Sequence, residues 1–132
     1  MITFGQNQTK MKERSDAAIN AERDRRLNST FPFQGKAYDC DPVSLARITG
    51  AATLAGFAVG GGAPEGYLLW HGGVDEFSWI ANDNSITKMD AQTCFAFGQA
   101  AATNESGHVF AAYGLKEMDP APDDFTDDSY WP

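Results

Sequence analysis

Two histidines, two cysteines and a scatter of carboxylates are the groups in this 132-residue chain with chemistry to offer. His71, His108, Cys40 and Cys94 are all residue types that hold zinc. Structural zinc sites, however, draw their ligands in short-loop pairs, and no two of these four lie close together along the chain. Nucleophilic catalysis needs a Ser or Cys set beside a His and an acid. There is no G-x-S-x-G elbow, and neither cysteine sits in a reactive-looking local sequence. Asp75, Glu76 and Asp83 could pair as acid and base, but they fall at predicted turns, where solvated carboxylates keep ordinary behaviour. Gly60-Gly61-Gly62 lacks the Lys-Ser/Thr pair of a phosphate loop and follows no buried strand. The sequence therefore predicts no catalytic residue, no cofactor and no metal. The competing reading is a small hydrolase or metal enzyme built on His71, Asp75 or His108.

The elements that would position such groups occupy one ordinary-sized domain. Hydrophobic residues make up 42% and charged residues 21%, enough apolar content for the middle of the chain to fold. The net charge of −8 argues against a nucleic-acid partner, since a phosphate backbone demands a basic footprint. That charge is polarised. Residues 1–47 carry 8 of the 10 basic side chains, whereas residues 119–132 carry five Asp, three Pro and no base. Two cysteines do not make a disulfide framework, so both are read as reduced, with Cys94 buried. The first thirty residues have no apolar signal core. Gly50–Ala63, an uncharged stretch near the middle, is too short and glycine-rich to span a bilayer. A soluble chain made in a cytoplasm, without membrane insertion, is expected.

Lys10–Asn28 reads as a helix rich in Ala, Glu and Arg, but its apolar stripe is thin: Met11, Ala18, Ile19, Ala21 and Leu27. Such a helix needs a cover, and a partner-facing role is predicted for it. Phe31–Phe33 and Ala37–Cys40 form a hairpin turning near Gly35. Asp41-Pro42 opens a second helix whose core stripe is Leu45, Ile48, Ala52, Ala55 and Val59. Gly50, Ala51, Thr53 and Gly56 are small enough to let a neighbouring backbone approach closely. Tyr67–His71, Phe77–Ile80 and Ile86–Met89 read as an antiparallel meander, with Trp70, Phe77 and Trp79 filling the space beneath it. Asp90 caps a last helix carrying Cys94, Phe97, Ala101, His108, Ala112 and Leu115. Gly98 and Gly107 weaken that helix, a kink or a break is predicted at 104–107, and Pro120 and Pro122 end it. In the acidic tail, Phe125, Tyr130 and Trp131 are spaced among aspartates, a composition suited to docking in a groove rather than to building a core.

Several of these segments, in order, resemble a family of small phage domains of unknown function found in or beside tail-fibre proteins. The carrying residues are Glu22–Arg26, Phe33–Tyr38, Asp41, Ser44–Ala51, Trp79, Asp83-Asn84, Ile86-Thr87, and the helix through His108 to Leu115-Lys116. The resemblance spans roughly residues 14–118 and implies a virion or tail-assembly role without catalytic residues. It gives Asp83-Asn84 to the turn that sets the strands, and Arg47 and Gly50 to packing against the first hairpin.

The combined expectation is an α+β fold: a small antiparallel meander packed by two helices, a protruding N-terminal helix and an extended acidic tail. The domain boundaries expected are 1–30 for the helical arm, 31–118 for the core and 119–132 for the tail. The function expected is a non-enzymatic structural component of a phage tail or tail fibre, located in the virion. It would bind other tail or fibre proteins through Met11, Ala18, Ile19, Arg25, Phe125, Tyr130 and Trp131. A homo-oligomer is plausible by family analogy, a trimer included. The runner-up is a tail-fibre assembly chaperone absent from the finished particle.

Overall fold

The computed structural model describes residues 3–132 and has an α+β architecture. The elements are α1 (Phe4–Leu27), β1 (Thr30–Phe33), β2 (Lys36–Asp39), α2 (Pro42–Gly60), β3 (Ser78–Ile80), β4 (Ile86–Lys88) and α3 (Ala91–Glu117), closed by a 3-10 turn at Asp128–Tyr130. Two compact units are formed. One comprises residues 28–104; the other combines α1 with residues 105–132. The two sequence ends thus share one unit, and α3 contributes to both.

The 28–104 unit is built around Phe97. In the first hairpin Phe31 pairs with Tyr38, and Gln34 (φ 48) with Gly35 (φ 79) makes a turn whose left-handed residues match the twist of the strands. Phe31, Phe33, Tyr38 and Trp79 all bring their rings to Phe97, at centroid distances of 5.6, 5.2, 4.8 and 5.6 Å. Ile48 and Ala55 of α2 and Cys94 of α3 complete this core. Both helices are capped as their sequences predict. Asp41 accepts from the Ser44 amide and hydroxyl; Asp90 accepts from the Thr93 amide at 2.8 Å and also holds Gly66 N at 2.8 Å. These bonds hold the Asp41 and Asp90 carboxyls below the usual range, Ser44 and Thr93 being the main causes.

The expected meander is two separate hairpins. Among the described residues β3 pairs only with β4, Trp79 opposite Thr87, while residues 68–71 form a turn and Tyr67 lies in no strand. Gly66 (φ 81) and Gly72 (φ 84) bracket that segment in left-handed conformations, leaving no extended run for a ladder. It is instead pinned by Phe77 N donating to Leu68 O and by Trp70 Nε1 donating to the Met89 carbonyl at 2.9 Å. Asp83-Asn84 makes the β3–β4 turn: Asn84 has φ 66, and Asp83 accepts from Ser85 N at 2.9 Å. The hairpins are tied together by Asn82 N to Ala37 O, by Tyr38 Oη to Thr87 Oγ1 and by Lys36 Nζ to Ser85 Oγ.

Helix α3 runs unbroken through 104–107, where a kink or a break is expected. Gly98 and Gly107, two of its three glycines, explain why a break is expected and why none forms, because each serves a close approach. A methyl on Gly98 would lie 2.2 Å from Ala52 Cβ, and one on Gly107 would lie 2.9 Å from Pro132 Cγ. The cost of glycine in a helix is offset by contacts no larger residue permits. Helix α1 begins at Phe4, ahead of the expected start at Lys10.

A Gly98→Ala variant gains helix propensity but must overpack against α2. The expected outcome is a loss of about 1–3 kcal/mol in denaturant unfolding, largely restored by adding Ala52→Gly. A variant more stable than wild type would contradict the close crossing.

Candidate interaction surfaces

The C-terminal segment folds into the unit that contains α1. Trp131 is 7% exposed and packs with Ile19, Ala112 and Leu115, flanked by Ala111, Ala121, Phe125 and Tyr130. Trp131 Nε1 donates to Phe125 O at 2.7 Å, and the ring stacks on His108 at 6.2 Å. The Arg26 guanidinium lies 5.2 Å over the indole and donates through Nη2 to Thr126 O and to Asp128 Oδ1, both at 2.8 Å. Behind it sits Glu22, a carboxylate only 6% exposed, hydrogen-bonded by Arg25 and 3.7 Å from Arg26 Nε. The Arg25 bond, then the charges of Arg25 and Arg26, hold the Glu22 carboxyl below its usual value against the opposing effect of burial. A buried carboxylate is tolerable because two arginines neutralise it.

This placement revises the expectation of a free acidic arm. Ile19 and Trp131 are covered by this chain's own side chains, and Phe125 and Tyr130 are partly so; the tail's aromatics find their groove at home. Ala18 and Met11 are exposed, and Arg25 is exposed at its tip while serving Glu22. The first turns of α1 differ from the last: every residue from Thr3 to Arg14 is exposed. Along them and residues 118–123 runs an open groove of about 890 Å³, lined by Met11, Lys12, Arg14, Met118 and Pro120 among others. Lys12 reaches the Lys116 carbonyl at 3.0 Å and pairs with Asp16.

The second surface is α2. Its inner face buries Ile48, Ala52 and Ala55, but Val43, Leu54 and Phe57 are 58%, 49% and 76% exposed. Arg47 and Gly50, expected to pack against the first hairpin, are exposed as well, and nothing lies within 4 Å of a methyl built on Gly50. Sequence reading followed the inner stripe and missed the outer one. The available signal was charge: Arg47 is the single charged residue from Pro42 to Gly60. α2 is long and apolar enough by length and composition to cross a membrane, which the shorter window Gly50–Ala63 concealed.

The residues with chemistry are spread out. Cys40 and Cys94 both lie in the Phe97 core as thiols. The Cys40 thiol donates to Ser29 O at 3.4 Å, and burial pushes the Cys94 thiol up to about 11, which makes it a poor nucleophile. His71 packs its ring on Trp70 and Phe77, and His108 on Trp131. Asp75 is exposed, and Glu76 is paired with Lys88. Among the described residues no three His, Cys, Asp or Glu side chains gather as a metal site would.

Because the folded Glu22 carboxyl titrates below its unfolded value near 4.5, its contribution to stability is complete above that value and fades as pH falls through the lower, folded one. Melting temperature measured from about pH 6 down to about pH 3 should fall for wild type and fall less for Glu22→Gln, which starts lower. Trp131→Ala should cost about 3 kcal/mol, the penalty of emptying a buried aromatic site. Equal melting for Trp131→Ala and wild type would contradict the docked tail.

A family model described as a domain of unknown function (DUF4376) matches residues 10–129. No curated protein and no solved structure gives a match.

Proposed function

We propose that this chain, which belongs to the DUF4376 family, is a non-enzymatic structural component of a phage tail or tail fibre, located in the virion. The observation that carries a binding role is the first half of α1. A helix exposed on every side from Thr3 to Arg14 has little within the chain to hold it, and short helices are marginal in water unless something packs on them. Phe4 and Met11 supply apolar contacts at 77% and 65% exposure, and Lys10, Lys12 and Arg14 supply charge. Together with the groove beside residues 118–123, this arm is the place for a segment of another virion protein. The C-terminal strap has a different part in this reading: through Trp131 and Arg26 it holds the second half of α1, so that the first half is presented from a fixed base.

The virion setting rests on the ordered motifs from Glu22–Arg26 to Leu115-Lys116. Quantitative mass spectrometry of purified particles tests it. Stoichiometric copies are expected, lost when residues 3–14 are deleted although the truncated chain still accumulates folded. Good expression with absence from particles would overturn the structural reading and favour an assembly chaperone.

A further inference from the structure

We propose that the groove between the first half of α1 and residues 118–123 takes a basic, apolar-anchored segment of another protein, one that sets long apolar side chains between lysines or arginines. This rests on the reading of that groove as the place where a virion protein docks, and adds the chemistry of the occupant. The α1 wall runs from Gly5 to Asp16, about 17 Å at a helical rise of about 1.5 Å per residue. With an open volume of about 890 Å³, it admits about five residues of extended chain or three helical turns.

The groove offers apolar contacts that adapt. Met11 of α1 and Met118 beyond α3 are 65% and 49% exposed, and Pro120 lines the groove with them. Methionine is unbranched and polarizable, so it fits itself to apolar side chains of several shapes.

The charges along the groove decide the sign of the partner. Glu13, Asp16, Asp119 and Asp123 stand there against Lys12 and Arg14. Lys12 is already spent: its ammonium donates to Asp16 at 3.1 Å and to the Lys116 carbonyl at 3.0 Å, tying α1 to the end of α3. Asp16 is neutralised by the same pair. Arg14 is left against Glu13, Asp119 and Asp123, carboxylates that form no ion pair among the described residues. Surplus carboxylates beside apolar contacts are complemented by apolar anchors flanked by cations. The net charge of −8 acts in the same sense, drawing a cationic segment in from a distance.

A second copy of this chain does not supply such a segment. Its densest basic run is Arg23–Arg26, and every arginine there is engaged: Arg23 with Asp24, Arg25 with Glu22, and Arg26 with Glu22 and Asp128. Its other basic stretch mixes Lys10, Lys12 and Arg14 with Glu13 and Asp16. An anionic lipid surface would be repelled by the same carboxylates that attract a basic peptide.

Fluorescence anisotropy on the full chain tests the proposal, with two labelled peptides of equal length, one alternating lysine with leucine and one alternating glutamate with leucine. The lysine peptide should bind, less tightly as salt rises, and the glutamate peptide should not. In Glu13→Lys/Asp123→Lys the affinity should fall about tenfold. In Glu65→Lys/Asp75→Lys, a charge-matched variant outside the groove, it should change less than about twofold. Met11→Ser/Met118→Ser should weaken binding as well. All six positions are exposed, so thermal melts should match wild type. A lysine peptide that fails to bind, equal losses in the two charge variants, or preference for the glutamate peptide would each overturn the proposal. Particle incorporation separates it from the reading beneath it. If chains lacking residues 3–14 still enter particles, the arm falls and the proposal with it. If that deletion blocks entry while Glu13→Lys/Asp123→Lys enters as wild type does, the basic partner alone is overturned.

Discussion

The approach of α2 to α3 at Ala52 and Gly98 leaves no room for a methyl group, and much of the 28–104 unit follows from that one contact. It sets the rotation of α2 about its own axis. Ile48, Ala52 and Ala55 must face the Phe97 core, and by helical geometry Val43, Gly50, Leu54 and Phe57 must then face away from it. The same approach brings Phe97, the residue before Gly98, under the first hairpin, where four aromatic rings close around it. Close packing of this kind has discrete solutions rather than a continuum, so an apolar outer face on α2 is a consequence of how the inner one is held.

The other unit is organised by a charge problem and its solution. Glu22 is nearly buried, which requires Arg25 and Arg26 beside it. Arg26, 12% exposed, then has a guanidinium face and spare donors to satisfy, and the C-terminal segment supplies them: the Trp131 ring, the Thr126 carbonyl and Asp128. Pro132 fits only because position 107 is glycine. An acidic, aromatic peptide that looks like an arm for another protein is thereby used to finish the chain's own helix pair.

Local chemistry was legible in the sequence, and partnership was not. The Asp41 and Asp90 caps, the Gly35 turn, the Asn84 turn and the core stripe of α3 all depend on residues a few positions apart, and all are found; the α2 stripe is found except at its end, where Val59 is exposed. The strand expected at 67–71 failed because apolar content was weighed above the two glycines around it. The break expected at 104–107 does not form because a helical glycine has two meanings, weakness or close approach, and only the neighbour in space decides between them. The tail failed the same way: Trp131 announced that it would be buried, but nothing within residues 119–132 named Ile19 and Leu115 as the cover. The outer stripe of α2 shows in the sequence only as a near absence of charge between Pro42 and Gly60.

Radical footprinting of the dilute chain, read residue by residue at its phenylalanines, tests the central claim most directly, since it reports the rotation of α2 about its own axis. The account predicts heavy labelling of Phe57 and protection of Phe97 and Trp131. A protected Phe57, with Phe97 labelled, would mean that α2 is turned the other way and that its apolar outer face does not exist.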